Sequence, residues 1–206
     1  MKVVRKADHE VGEDTARTQT GKSLSEWFAL IDAQGGPDLG RREIGQWLYA
    51  EMKLDPWWSA TINNEYELAR GVREKDGTPR GYTICATKTI KADAARCYAE
   101  FADASAWDGW FGSGHVLELR DGGSLTNDDG NRATIKKVNP AKNLRLIWDD
   151  ADLTVPTPVE IKFSPTGAKT TVMVTIDRLQ TRAEADGYRR AWGEALDRLK
   201  QRIEGA

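Results

Sequence analysis

The chain has few of the residues that metal, disulfide and nucleic-acid-binding proteins rely on. Its 206 residues include only 2 cysteines and 2 histidines, which argues against a disulfide framework and against most metal sites. The 30 basic and 32 acidic side chains leave a net charge of -2, so no overall positive field attracts nucleic acid or anionic lipid. No stretch approaches the roughly 20 apolar residues of a membrane helix, and the start lacks the apolar run of a secretory signal. We therefore expect a cytoplasmic protein with no metal, cofactor, nucleic-acid partner or membrane insertion.

Changes in composition along the chain predict its domain organisation. Residues 1–20 mix charges of both signs without an apolar face, which is typical of a flexible tail that can retain some helix. Residues 21–72 have a helical period, and residues 73–81 are rich in glycine, proline and charge, as a linker is. From residue 82 the apolar period changes to two. We expect a second domain over residues 82–206.

The segment 21–72 carries the start signals of a three-helix module. Ser23 and Glu26 fit a capping box, in which each residue satisfies a backbone amide of the other. A second apolar face begins near Arg41. Asp55 and Pro56 fit the N-cap and the first position of a third helix. The interpretation is a small bundle with little core beyond its aromatic residues.

Four of the 8 tryptophans lie in this module, and two of them are adjacent. The simplest interpretation is that the indoles form the core, because aromatic residues at helical spacing usually pack inward. Trp57 and Trp58 are about 100° apart on a helix, so they cannot both face one core. The alternative is that one of them contacts the second domain or a protein partner.

The second domain alternates short strand patterns with turn signals and ends in a long helix. A capping box at Thr181 and Glu184 opens that helix. We expect an α+β, helix-grip fold, in which a curved antiparallel sheet surrounds the C-terminal helix. The expected strands are 82–90, 116–120, 124–127, 132–138, 144–148, 159–164 and 170–177.

The order of these elements resembles the SRPBCC (START-like, helix-grip) superfamily. The resemblance rests on AEFADASAWDGWFG after the first strand, on Asn139-Pro140 before LRLIWDD, and on the ending YRRAWGEALDRLKQRIE. Within the superfamily it is nearest to bacterial homologues of the activator of the ninety-kilodalton heat-shock ATPase. The preceding module resembles a small bacterial helical domain of unknown function that is often fused to this family.

The resemblance implies a cavity between the sheet and the long helix. Members of the superfamily bind lipids, polyketides or hormones, catalyse cyclisation, or assist chaperones. We expect non-enzymatic binding of a small hydrophobic or amphipathic ligand. The alternatives are an interaction protein like the ATPase activator and a cyclase- or hydrolase-type enzyme. The residues expected to bind the ligand are Trp107, Trp110, Phe111, Leu146, Trp148, Tyr188, Trp192 and Leu196.

These large side chains could also fill the interior themselves, because protein interiors are close-packed. Gly187 and Gly193 lie within the long helix, each at a cost of about 0.5–1 kcal/mol relative to alanine. That cost indicates either close packing or space left for a ligand.

No polar residue is predicted to be catalytic. His115 and Glu160 are the candidates for an acid or base in the cavity, but the sequence does not settle which way they face. A lone histidine without a placed carboxylate is more often structural.

The remaining reactive side chains have a structural interpretation as well. Cys85 and Cys97 have no His or Cys neighbours at metal-binding spacing, so both are expected to be buried or semi-buried thiols. Asp149, Asp150 and Asp152 form an acidic turn that is expected to be solvated, because the spacing of a calcium loop is absent.

Overall fold

The computed structural model describes residues 1–151 and 153–205, which form two units. Residues Asp8–Tyr82 make up the helical unit, and Met1–Ala7 joins the chain from Thr83 onward in the helix-grip unit. The expected linker, 73–81, thus falls within the helical unit, while the predicted domain boundaries stay a prediction. Within the described ranges, no helix has the length and hydropathy required to cross a membrane.

The helical unit contains the three predicted helices and one more. The additional helix, α1, lies in the segment expected to be a tail, and the second predicted helix ends in a π-helical turn. The elements are α1 Glu13–Thr20, α2 Leu24–Ala33, a 3-10 turn Gly36–Leu39, α3 Arg41–Gln46, the π-helical turn Trp47–Glu51 and α4 Pro56–Ala69.

The predicted helix starts are confirmed in detail. Ser23 Oγ accepts the amide of Glu26 at 3.2 Å, and Glu26 Oε2 accepts the amide of Ser23 at 2.8 Å. Asp55 Oδ1 accepts the amides of residues 57 and 58, and Pro56 occupies the first turn. These caps fix where α2 and α4 begin, because they satisfy amides that have no partner inside a helix.

The core of the helical unit is built around aromatic side chains. Trp58 is buried in it, whereas Trp57 is only partly buried, as their angular separation on α4 requires. The core residues are Ala16, Leu24, Trp27, Ile31, Ile44, Leu48, Leu54, Trp58, Ile62 and Tyr66.

The helix-grip unit is an α+β fold with one curved, seven-stranded antiparallel sheet, as predicted. The strand order is β1-β7-β6-β5-β4-β3-β2, with one irregularity in β4 between Ile135 and Lys137. The strands are β1 Tyr82–Ile90, β2 Val116–Leu117, β3 Ser124–Thr126, β4 Arg132–Asn139, β5 Asn143–Trp148, β6 Thr157–Thr166 and β7 Lys169–Leu179.

Three helices complete this unit: α5 Ala94–Ala102, α6 Ala104–Asp108 and α7 Arg182–Glu204. The capping box predicted at the start of α7 is present, with Thr181 Oγ1 accepting the amide of Glu184 at 3.1 Å. Strand β5 alternates between the buried Leu144, Leu146 and Trp148 and more exposed neighbours. This alternation gives the sheet one apolar face.

The two thiols differ in their environment. Cys97 is buried in α5, and burial raises the pKa of its thiol. Cys85 is exposed on β1, so the expectation that both thiols are at least semi-buried is wrong for it. The physical reason is the strand period, because Ile84 and Ala86 take the inward positions on either side of it.

Candidate ligand-binding site

The eight residues predicted to bind a ligand all lie in the interior of the helix-grip unit. Each of them is at most 4% exposed. They come from three regions: α6 and the turn after it, strand β5, and the buried face of α7. Residues from distant parts of the sequence thus lie together in one hydrophobic core. Their role in ligand binding stays a prediction.

The aromatic rings of this set contact one another. Trp107 and Trp110 are stacked with ring centroids 4.8 Å apart. Phe111 lies 4.9 Å from Trp192 and 5.7 Å from Trp148. Phe101 of α5, which the sequence analysis missed, joins the group 4.9 Å from Trp110. We call these six rings the aromatic cluster: Phe101, Trp107, Trp110, Phe111, Trp148 and Trp192.

The four indole N–H groups of the cluster are not equally satisfied. Trp107 Nε1 donates to the carbonyl of Phe101 at 3.0 Å, and Trp110 Nε1 donates to that of Glu100 at 3.3 Å. Trp148 Nε1 donates to a carboxylate oxygen at 2.7 Å. Trp192 Nε1 is buried and has no acceptor among the described residues. A buried donor left unpaired destabilises the folded state by about 1–3 kcal/mol. An acceptor placed near this atom would remove that cost.

A buried carboxylate marks one end of the cluster. Asp150 Oδ2 accepts hydrogen bonds from Trp148 Nε1 at 2.7 Å, Asn131 Nδ2 at 2.9 Å and the Tyr188 hydroxyl at 3.0 Å. Its Oδ1 accepts the amide of Arg132 at 2.8 Å. Four donors thus surround a carboxylate that is 7% exposed. Such a group is retained inside a protein only when its acceptors are satisfied.

The expectation of a solvated acidic turn is therefore wrong for Asp150. Asp149 is exposed as expected, whereas Asp152 lies outside the described residues. Asp150 lies two residues beyond the end of β5, at the position where a continued strand period would point inward after Leu144, Leu146 and Trp148. Among the described residues, no group of three or more His, Cys, Asp or Glu side chains is placed to hold a metal ion.

A pocket of about 470 Å³ opens beside this carboxylate. Its walls are the segment Met1–Val4, the turn 129–131, Asp150 and Tyr188. The α-amino group of Met1 donates to Asp129 Oδ2 and to Asn131 Oδ1, both at 2.6 Å. This ammonium group lowers the pKa of Asp129. The lining is mixed, because Val3, Val4 and Ala151 are apolar whereas Lys2, Asp129, Asn131, Asp150 and Tyr188 are polar or charged.

His115 lies against the cluster, 5.7 Å from the ring of Trp107, and it does have a placed carboxylate. Its Nδ1 lies 2.5 Å from Asp108 Oδ1, and its Nε2 lies 3.1 Å from Asn127 Nδ2. The simplest assignment is an Nδ1–H that donates to Asp108 and an Nε2 that accepts from Asn127. This hydrogen bond, with the backbone amide of the same histidine, lowers the pKa of Asp108. The expectation of a histidine without a carboxylate is thus wrong, because the turn after α6 brings the two residues together.

Glu160, the other acid or base candidate, faces away from the interior. It alternates with the buried Val159 and Ile161 on β6, and it accepts Arg145 Nε at 3.1 Å on the outer face of the sheet. It therefore cannot act on a molecule held inside.

The two glycines of α7 have different surroundings. A Cβ at residue 187 would lie 2.7 Å from the carbonyl oxygen of Val4, so this glycine permits close packing of the N-terminal segment. A Cβ at Gly193 would meet no atom within 4 Å. Close packing thus explains the first glycine, whereas the second is partly exposed on α7, and space for a ligand beside it stays a prediction.

A model of the Activator of Hsp90 ATPase homolog 1-like protein family matches residues 91–204, which span α5 to the end of α7. The chain belongs to this family. The match takes in more than half of the chain and every residue of the aromatic cluster. It confirms the resemblance drawn from the sequence. None of the curated proteins matches the chain.

Solved structures share the helix-grip fold of this family member at low sequence identity. CalU16 from Micromonospora echinospora is 20% identical, with a TM-score of 0.54 over 59% of this chain and 75% of that one. Protein MLL2253 from Mesorhizobium loti is 16% identical, with a TM-score of 0.55 over 61% and 98% of the two chains. The Aha1 dimer from Colwellia psychrerythraea is 18% identical, with a TM-score of 0.54 over 60% and 96%. At these identities the likeness shows the fold alone.

Proposed function

We propose that the helix-grip unit binds a small amphipathic molecule without catalysing a reaction on it. The binding region comprises the aromatic cluster and the pocket at Asp150 and Tyr188. The observation that carries the proposal is the buried indole N–H of Trp192, which has no acceptor among the described residues. A ligand that brings an acceptor to this atom removes an unpaired donor from the interior, which favours binding.

The surroundings of this donor favour a ligand with one apolar and one polar end. Aromatic rings bury much apolar surface at little entropic cost, and they supply most of the affinity for flat or branched hydrocarbons. Asp150, Asn131 and Tyr188 supply polar atoms at the pocket end. Trp192 lies one helical turn beyond Tyr188 on the buried face of α7. Tyr188 lines the pocket whereas Trp192 is fully buried behind it, so a molecule seated in the pocket would have to extend by one helical turn into the aromatic cluster to meet both.

The state of the histidine supports binding rather than catalysis. Both ring nitrogens of His115 have partners, and its side chain is fully buried. A general base needs a free nitrogen within hydrogen-bond reach of the substrate. The one histidine of this interior is therefore engaged in holding the turn after α6.

Native mass spectrometry of the full chain purified from its own host tests the proposal. We expect a small molecule to co-purify and to be released on denaturation. Trp192→Phe keeps most of the ring volume and removes the donor, so it should lower occupancy by about fivefold to tenfold. Trp27→Phe, which removes a buried indole of the helical unit, is the matched control. A wild-type protein that carries no small molecule and gains no thermal stability from fatty acids or aromatic polyketides would contradict the proposal.

The family match favours a second function, contact with the ninety-kilodalton heat-shock ATPase. This function requires a protein surface and no ligand. Binding of the purified chain to that ATPase, with an increase in its ATP hydrolysis, is the expected result. An unchanged hydrolysis rate at saturating concentrations of the chain would remove this candidate.

A further inference from the structure

The helical unit contains a hollow that the proposed function does not use. It has a volume of about 540 Å³ and lies between the segment 8–10, helix α1 and the first turn of α4. Trp57 and Trp58 both line it. The side chains that matter for its chemistry are Asp8, His9, Glu10, Asp55, Trp57 and Trp58.

Trp57 meets both Trp58 and His9 at nearly right angles. The rings of Trp57 and Trp58 are 4.9 Å apart with an interplanar angle of 85°. The imidazole of His9 lies 5.7 Å from the ring of Trp57 at 89°. In each pair the edge of one ring contacts the face of the other, and the uncovered ring surfaces adjoin at about a right angle, as the walls of a corner do. Such corners hold quaternary ammonium groups in aromatic cages, where the negative ring faces attract the cation.

The charges around the hollow have the sign that a cation requires. Asp8, Glu10 and Asp55 contribute three carboxylates, and no lysine or arginine is among the described residues that line the hollow. The N-terminus of α4 opposes them with about half a positive charge. Asp55 Oδ1 accepts two amides of that terminus, at 2.9 and 3.1 Å, and thereby offsets this charge. The balance is negative, and it disfavours anions.

The degree of burial also suits a small organic cation. Trp58 belongs to the core, which holds the corner in place, whereas Trp57 is only partly buried and keeps surface for a ligand. A metal ion would need converging oxygen atoms and would gain nothing from the indoles. An alkylated ammonium ion gains from both the rings and the carboxylates, because it is weakly hydrated and apolar at its surface.

We propose that this hollow binds an alkylated ammonium group. The group could belong to a free small molecule or to a methylated lysine side chain of another protein, since both present the same chemistry. The binding is independent of the helix-grip interior.

Titration of the full chain with choline, followed through the tryptophan indole N–H signals in NMR, tests the site directly. We expect saturable shifts at Trp57 and Trp58. The neutral carbon isostere 3,3-dimethylbutan-1-ol should bind at least about tenfold more weakly, because it lacks the charge. Equal binding of the two compounds, or no shift with either choline or trimethyllysine, would overturn the proposal.

Substitutions in the hollow test whether choline binds there, and a control substitution outside it distinguishes a loss of binding from a loss of folding. Trp57→Ala should weaken choline binding about tenfold, and Trp57→Phe should recover part of it. Glu10→Gln changes only a charge on an exposed side chain and should weaken binding severalfold. Glu51→Gln, an exposed change outside the hollow, is the matched control and should leave binding unchanged. If the controls and the site variants bind alike, the hollow is not the site.

The two sources of the cation are then separated by affinity. A peptide with one trimethyllysine that binds tighter than choline, and tighter than the same peptide with unmodified lysine, points to a protein partner. Equal affinities for choline and the trimethylated peptide point to a free small molecule. Either result supports an ammonium site.

Discussion

The hydroxyl of Tyr188 donates to Asp150 Oδ2 over 3.0 Å, which joins the C-terminal helix to the segment that follows strand β5. The two residues are 38 positions apart in the sequence, and both are buried. The same oxygen also accepts from Trp148 and Asn131. One carboxylate, at one end of the aromatic cluster, thus connects the sheet, the turn before β4 and the long helix.

Replacement of this carboxylate should destabilise the helix-grip unit strongly. Asp150→Ala leaves three buried donors without their acceptor, and we expect a loss of about 3–5 kcal/mol in the free energy of unfolding. Chemical denaturation followed by tryptophan fluorescence measures this loss. Asp149→Ala, its exposed neighbour, should change the stability by less than about 0.5 kcal/mol. Similar losses of stability for the two variants would contradict the proposed stabilising role of the buried Asp150 carboxylate.

A second buried carboxylate, that of Glu67, joins separate segments of the helical unit. Glu67 is 2% exposed, and it pairs with Arg41 Nη2 and with Arg80 Nη1, the latter at 2.6 Å. Glu67→Ala leaves the ends of two arginines without their buried partner, and we expect a cost of about 3–5 kcal/mol. Thermal unfolding followed by circular dichroism is the measurement, with the exposed Glu51→Ala as control. A cost below about 1 kcal/mol would show that these ion pairs contribute no more to stability than ordinary surface salt bridges do.

The two glycines of α7 should respond in opposite ways to alanine. Gly193→Ala adds a methyl group to open space within a helix, so it should stabilise the protein by about 0.5–1 kcal/mol. Gly187→Ala places its Cβ 2.7 Å from the Val4 carbonyl oxygen, which must move. The Arg190 Nη2 hydrogen bonds to the carbonyls of Val4 and Lys6, now 3.0 and 2.8 Å, should then break.

Hydrogen exchange distinguishes these effects. Amides of residues 2–7 should exchange faster in Gly187→Ala, whereas Gly193→Ala should leave them unchanged. Unaltered exchange in both variants would show that the N-terminal segment does not depend on the absence of a side chain at 187.

The sequence predicted the architecture well because local signals carried it. The capping residues Ser23, Asp55 and Thr181 marked helix starts through contacts within three residues, and strand alternation placed Leu146 and Trp148 inward. Such signals depend on backbone geometry rather than on distant partners.

The polar part of the site could not be predicted in the same way. The pairing of His115 with Asp108 requires the particular turn that follows α6, and Phe101 enters the aromatic cluster through tertiary packing. Asp150 is an intermediate case. It was predicted to be solvated, although the period of β5 continued by two residues points inward, and its burial depends on donors from Asn131 and Tyr188 that only the fold brings near.

Tyr66 should make the helical unit sensitive to alkaline pH. Burial, followed by the hydrogen bond to Asp32, raises the pKa of Tyr66 to about 12, against an ordinary value of roughly 10. The unfolded chain therefore loses this proton first, and the free energy of unfolding should fall as the pH rises from about 10 to about 12. The fall should amount to at most about 2–3 kcal/mol.

A comparison with phenylalanine variants isolates this effect. Tyr66→Phe removes the ionisable group, so its stability should decline less over the same pH interval, although its hydrogen bond to Asp32 is lost at every pH. Tyr49→Phe, at an exposed position, should follow the wild type. Burial also raises the pKa of Tyr98, so spectrophotometric titration should show one late-ionising phenol fewer in Tyr66→Phe than in wild type or Tyr49→Phe. Parallel stability curves for all three proteins would show that the buried phenol is not coupled to folding, because a proton held more tightly in the folded state must appear as a pH-dependent stability.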